Sequence, residues 1–398
     1  MNYDLLSLVL FFCLLYAFYL RHKEKFIVQA KIIFLYKTKI GLKFMDSVAR
    51  KFPRAVNVFG FAGIVTGFAG MATVFVFLAK ETIDYLVVPS QVAPLAPVLP
   101  GISIPGVPYL SFWHWIISIF LVAIIHEGSH GILARYANIK IKSSGFAFVG
   151  PQLAAFVEPE EKSLNKSSYY RQLAVFAAGP FSNIIAGLLL FLLLIFVLAP
   201  AYSNVFEVTG INITNITLGY PLQAAGLEAP FIITSINGMK LNSTDALLNV
   251  SSGIKAGDIV RIETGSGAYS VTAVNNTNST KGYLGVGEFS MVVAAKERFM
   301  WIKPFLPAIR WINMLIAWLF MINIGIALFN LLPFGPVDGG RMFYTAMLAI
   351  FKHEKKAKRI WGFFSAICLI LIFINLLPWI IKLLSFLVTK VLWLVSLV

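Results

Sequence analysis

Residues 121–135 read LVAIIHEGSHGILAR, so two histidines and a glutamate interrupt an otherwise apolar helical run. An ionisable group in hydrocarbon costs roughly 2.5–3.5 kcal/mol or more and normally marks function. His126 and His130 are four residues apart, share one helix face and can grip one metal ion. Glu127 follows His126 and is placed to handle the proton of a water on that metal. The spacing is the HExxH pattern of zinc hydrolases. The bland alternative is a buried polar cluster without a metal.

Two histidines do not complete a catalytic zinc site, which takes three protein ligands and keeps one position open. The other histidines are poorly placed. His22 and His353 sit in basic loops, and His114 is about three helical turns from His126. Asp338 is the better third ligand. It lies in NLLPFGPVDGGR, where Pro333, Gly335, Pro336, Gly339 and Gly340 should break the helix. A broken, re-entrant backbone could carry Asp338 to the depth of His126, and such backbone is tolerated where it lines protein or a wet cavity. The alternative for Asp338 is a helix cap or a proline-glycine turn.

These residues must be held by membrane helices. The chain of 398 residues is 58% hydrophobic, only 13% charged, and has a mean hydropathy of +0.80. That composition describes a polytopic α-helical membrane protein and excludes a chain that is soluble as a whole. The net charge of +15 sits in short basic loops, where the positive-inside rule accounts for it. No nucleic-acid motif accompanies the bases, so no nucleic-acid partner is expected. Cys13 and Cys368 both fall in apolar runs and imply neither a disulfide framework nor a cysteine zinc site.

Apolar runs predict spans at residues 4–20, 57–79, 111–134, 172–199, 308–332 and 360–377. Residues 379–398 read as a seventh span or an interfacial helix, giving about six or seven transmembrane helices. The start, MNYDLLSLVLFFCLLYAFYL, lacks a basic n-region and reads as a retained span. Gly60, Gly63, Gly67 and Gly70 should allow close helix approach in the second span. Six prolines in residues 80–110 predict a non-helical external or re-entrant segment. GFAFVGPQLAAFV, residues 145–157, reads as a short hairpin or re-entrant loop. Residues 201–295 alternate β-branched residues with Asn, Thr and Gly, and predict a small β-rich soluble domain.

The domain reading has four parts. Residues 1–56 hold the first helix and a basic loop. Residues 57–200 form the first part of the membrane domain with HEGSH. Residues 201–300 form the β-rich domain, and 301–398 the second part of the membrane domain with Asp338. If loops 21–54, 136–171 and 351–359 are all cytoplasmic, the β-rich domain falls outside. Sequons at Asn212, Asn215, Asn242, Asn249, Asn275 and Asn278 agree with that topology. It also puts His126 roughly 13 Å from the cytoplasmic end of its helix at Arg135.

HEGSH (126–130), AGPFSN (178–183) and NLLPFGPVDGG (330–340), in that order, resemble the site-2 protease family of intramembrane zinc metalloproteases, its archaeal and bacterial members above all. AFVEP (155–159) is similar to the family's stretch after the zinc helix. The resemblance covers roughly residues 110–200 and 305–350. It implies a three-helix zinc protease core with one inserted PDZ-like domain. GYPLQAAGL (219–227) looks like that domain's helix, and IITSINGMK (232–240) like the strand and turn after it. A PDZ-like domain would take a peptide or C-terminal ligand as an added strand; the bland alternative is a spacer.

On this resemblance His126, His130 and Asp338 hold Zn2+, and Glu127 is the catalytic base. Asn183 helps to orient the substrate strand or the developing oxyanion. The substrate is a transmembrane protein, cut in or near its membrane segment after a prior external cleavage. The protein is then an integral protein of the cell membrane with its active site near the cytoplasmic side. Two alternatives stay open: a catalytically silent scaffold that binds peptides, and a metal-permeating transporter.

Overall fold

The computed structural model describes residues 3–29, 33–88, 95–100, 107–149, 152–276 and 279–395. The chain divides into two compact units, residues 193–313 and everything else. Asn278 lies outside the described residues, as do the hairpin tip at 150 and 151 and much of the proline-rich segment.

The larger unit begins with α1 (Tyr3–Arg21), β1 (Phe26–Gln29), β2 (Ile33–Thr38) and α2 (Leu42–Lys51). Next come α3 (Pro53–Val87), α4 (Phe112–Tyr136), β3 (Ile141–Val149) and β4 (Gln152–Pro159). The short α5 (Glu161–Lys166) leads into α6 (Tyr169–Leu193). Among the described residues, five helical stretches are long and apolar enough to cross a membrane: Pro53–Val87, Phe112–Tyr136, Tyr169–Val205, Glu297–Asn330 and Glu354–Ser385. α1 is apolar but shorter, so the expected six or seven spans become five by this measure.

The elements also depart from the sequence expectations in extent and pairing. The second span does not stop at residue 79. α3 runs on to Val87 because the first proline is Pro89, and KETIDYLV contains nothing that breaks a helix. The basic loop 21–54 contains two strands and a helix. Its β1 and β2 join β3 and β4 in a four-stranded antiparallel sheet in the order β1-β2-β3-β4, so the expected hairpin at 145–157 is half of a larger sheet. Pro378 does not separate two helices. It lies inside a single helix, Glu354–Val395, of 42 residues and roughly 63 Å.

α3 packs through its small residues. A Cβ at Gly60 would lie 3.0 Å from Leu133 of α4, and one at Gly67 would lie 2.6 Å from Met342. Backbones can therefore approach where larger residues would hold them apart. The resulting core joins Val56 and Met71 of α3, Leu133 and Ala134 of α4, and Ala174 and Ala177 of α6. α4 is fixed at its start by Ser111, whose hydroxyl accepts from the His114 amide.

The smaller unit opens with a π-helical turn (Leu194–Leu198) and α7 (Ala199–Val205). It continues with β5 (Phe206–Ile216), α8 (Pro221–Ala224), β6 (Phe231–Ile236), β7 (Met239–Lys240) and α9 (Thr244–Gly253). β8 (Ile259–Thr264), β9 (Gly267–Thr272), β10 (Val274–Asn276), β11 (Ser279–Tyr283) and β12 (Val286–Ala295) complete it. The main sheet has the order β12-β5-β6-β8-β9, with β7 paired to β6. The β6–β7 turn is Asn237-Gly238, both at positive φ, the turn that a tight hairpin demands. Leu222, Val260 and Ile262 are fully enclosed in its core. Truncating such a side chain to Ala costs about 2–5 kcal/mol.

The chain then passes through a 3-10 stretch, Glu297–Phe305, into α10 (Leu306–Asn330). A turn over 331–337 leads to α11 (Asp338–Phe351), and α12 (Glu354–Val395) ends the fold. The helix break falls at 331–337, where Pro333 and Pro336 lie and Gly335 takes φ +43°. Gly339 and Gly340 do not break the helix as expected. They form the first turn of α11, where a Cβ would strike the carbonyls of Leu331 and Phe334, so their smallness lets the turn fold back on the helix start.

Candidate metal centre

The ridge of α4 that packs against α6 carries His126 and His130, and α11 begins at Asp338 beside them. His126 Nε2 lies 2.9 Å from Asp338 Oδ2, His130 Nε2 lies 3.2 Å from the same oxygen, and the two Nε2 atoms are 3.1 Å apart. All three residues are buried. Two imidazole nitrogens and a carboxylate oxygen are ordinary zinc donors. Donors around a tetrahedral zinc at about 2.0–2.1 Å are spaced roughly 3.3 Å apart, close to the triangle seen here.

The surroundings also fit a metal. Gly179 of α6 faces the triangle: a Cβ there would lie against His130 Nε2 and 2.5 Å from His126 Nε2. The absent side chain leaves a space bounded by donor atoms. His130 Nδ1 donates to the Val175 carbonyl at 2.6 Å, which leaves the Nε2 lone pair free for a metal. His126 Nδ1 lies 3.1 Å from the side-chain amide of Asn183, which is fully enclosed. A half-turn of that amide gives the otherwise unpartnered Asn183 Oδ1 a donor and His126 Nδ1–H an acceptor. His126 then carries its free lone pair on Nε2 as well.

Glu127 projects from the same helix. Its Oε2 accepts from the Val157 amide of β4 at 3.1 Å. In β4 the Val157 side of the strand faces α4, so the sheet anchors one carboxylate oxygen. The donor atoms of His126, Glu127 and His130 all lie within 4.8 Å of one another. These three and Asp338 line one cavity of about 540 Å³, together with Val157 and Arg341. At its rim Glu158 accepts from Lys37 at 2.6 Å and from Ser143 at 2.7 Å. The Lys37 ammonium, helped by Ser143, holds the Glu158 carboxyl below the usual range.

The structure thus brings His126, Glu127, His130 and Asp338 together. It places Asn183 behind His126, away from the cavity lining. Sequence reasoning missed three participants. Gly179 reads as one more small residue of AGP, Val175 acts through its carbonyl, and Val157 acts through its amide. Backbone groups carry no residue-type signal, although the AFVEP stretch did mark the segment that holds Glu127.

Two comparisons bear on this geometry. The sequence profile described as Peptidase family M50 matches residues 114–372, which include all four of these side chains. An uncharacterized protein of Methanocaldococcus jannaschii is 27% identical over 326 residues, covering 80% of this chain and 78% of the relative.

Proposed function

Because the chain belongs to peptidase family M50, the site-2 protease family, we propose that it is a zinc metalloendopeptidase hydrolysing peptide bonds in or near transmembrane segments of membrane proteins. The observation that carries the proposal is the convergence of His126 Nε2, His130 Nε2 and Asp338 Oδ2 beside Glu127. His126, Glu127 and His130 stand on α4, which is apolar enough to cross a membrane, and Asp338 opens the shorter α11.

His126, His130 and Asp338 would hold the ion. Zinc, when bound, supplies Lewis acidity that makes water a stronger acid and the scissile carbonyl a better electrophile. Glu127 accepts the proton of the attacking water and delivers it to the leaving amine. The Val157 amide holds one oxygen of the Glu127 carboxylate, which leaves the other to take up and release the proton. Asn183 holds the His126 ring instead of meeting the substrate strand or an oxyanion, because it is enclosed behind that ring. The substrate helix must unwind locally, since its amides are otherwise hydrogen-bonded. The basic loops and the sequons support an active site near the cytoplasmic side of the cell membrane, with the β-rich unit outside. That unit is proposed to be PDZ-like and to take a peptide at a sheet edge.

Neither alternative draws comparable support. A silent scaffold would lack a ligand or the base. A permeation path would need charged or imidazole groups along its length, whereas the buried ones among the described residues are His114, His126, His130 and Asp338.

The test uses the purified full chain in proteoliposomes with a model transmembrane substrate and a zinc determination. Wild type should bind zinc and cut, Glu127→Gln should bind zinc without cutting, and Asp338→Asn should lose both. A wild type without zinc, or a Glu127→Gln variant that cuts at the wild-type rate, would overturn the proposal.

A further inference from the structure

A second cavity, of about 350 Å³, opens between α2 and the end of α4. Arg50, Arg135 and Lys140 line it, against one carboxylate, Asp46. Asp46 is already engaged by Arg135 at 3.1 Å. Among the described residues, neither Arg50 nor Lys140 has an ion-pair partner. The carbonyls ending α4, which would repel an anion, are capped: Ile139 N donates to Ala134 O at 2.8 Å and Ala137 N to Leu133 O at 2.9 Å. The cavity is therefore a cationic recess with two unspent charges.

Its position identifies the anion. α3 begins at Pro53, α4 ends at Tyr136 and α6 begins at Tyr169, so three candidate spans meet the membrane boundary around it. Tyrosines at such ends are the expected interfacial anchors. α2 is amphipathic. Met45 and Ala49 are buried, and Met45 packs on Gly131 of α4. On the outer side, Phe44 is 67% exposed beside Lys43, with Ile40 and Phe52 also exposed at its two ends. Exposed aromatic and aliphatic groups interleaved with bases are wasteful in water but suit the headgroup–acyl boundary.

We propose that this recess is a binding site for the phosphate of an anionic lipid headgroup, with α2 lying in the membrane surface and Arg50 and Lys140 supplying the recognition. A juxtamembrane base contributes about 1 kcal/mol to such binding, a factor of roughly five. Removing both should weaken binding roughly 25-fold.

The experiment titrates the full chain in neutral detergent and reads lipid adducts by native mass spectrometry. The probes are dioctanoyl phosphatidylglycerol, dioctanoyl phosphatidylcholine and inorganic phosphate. Phosphatidylglycerol should bind saturably, and Arg50→Gln with Lys140→Gln should weaken it roughly 25-fold. The charge-matched pair Lys43→Gln with Lys51→Gln, on α2 but outside the recess, should change it less than about threefold. The charge-keeping pair Arg50→Lys with Lys140→Arg should retain binding, which separates lost recognition from lost folding. Equal weakening by the two charge-removing pairs, or phosphatidylcholine binding as tightly as phosphatidylglycerol, overturns the proposal. Inorganic phosphate competing at the same concentrations as phosphatidylglycerol overturns the lipid as source.

Discussion

Two glycines near the metal centre should respond oppositely to one added methyl group. At Gly179 a Cβ would lie 2.5 Å from His126 Nε2 and 2.6 Å from its Cε1, and closer still to His130 Nε2. That is about 1 Å inside ordinary van der Waals separation. Neither ring can retreat freely, because His130 is held by the Val175 carbonyl and His126 by Asn183. The methyl also claims the space into which both lone pairs point. Helix propensity alone would favour the alanine by up to about 1 kcal/mol, so any loss measures the clash. Moving a group behind a ligand typically costs 10–100-fold in metal affinity. A methyl thrust at two ligand atoms should reach at least the upper end, ~100-fold or about 2.8 kcal/mol. At Gly128, inside the HEGSH run, nothing lies within 4 Å of the added Cβ. Gly128→Ala should keep its zinc and gain slightly in thermal stability. The assay is chelator competition on purified, folded protein. Gly179→Ala retaining zinc within about threefold of wild type, or both variants losing it equally, would refute the geometry.

Other consequences follow from the same contacts. Asn183→Asp should keep zinc, since a carboxylate accepts from His126 Nδ1–H, while Asn183→Leu should bind it about 10–100-fold more weakly by chelator competition. Val157→Pro removes the amide that holds Glu127 but no β3–β4 ladder bond, because that N–H points to α4; turnover should fall about tenfold or more with zinc content unchanged. The lowered pKa of Glu158 makes its pairing with Lys37 favourable above the ordinary carboxylate range and lost as pH falls through the lowered value. Thermal scans of wild type and Lys37→Met should therefore differ slightly near neutral pH and converge in acid, and an equal gap at every pH would contradict the pairing.

Much of the centre was legible because lipid makes polar residues conspicuous. HEGSH stands out from LVAII and GILAR, and the shortage of histidine left Asp338 as the third donor. Its route to the site was legible too, since prolines 333 and 336 cannot continue a helix. The strand and turn that the resemblance placed at IITSINGMK fall on β6 and the Asn237-Gly238 turn. What escaped notice were features without a side-chain signal. β1 and β2 hide in a loop whose lysines mask the alternation, and they become strands by joining the sheet, β2 against β3 and β1 against β2. Gly179 acts by having no side chain. The ends of α3 and α12 were misjudged because sequence hydropathy reports where lipid begins, whereas a helix continues until a backbone constraint stops it.

The proposed activity is a Glu127-dependent, zinc-dependent cut within a membrane-spanning segment. Mass spectrometry of the fragments from a model transmembrane substrate in proteoliposomes, with wild type and Glu127→Gln run side by side, locates that cut. New termini should map inside the substrate's apolar segment, vanish in Glu127→Gln, vanish on chelation and return with added zinc. Termini confined to the water-exposed parts of the substrate, or fragments that persist with Glu127→Gln, would contradict it.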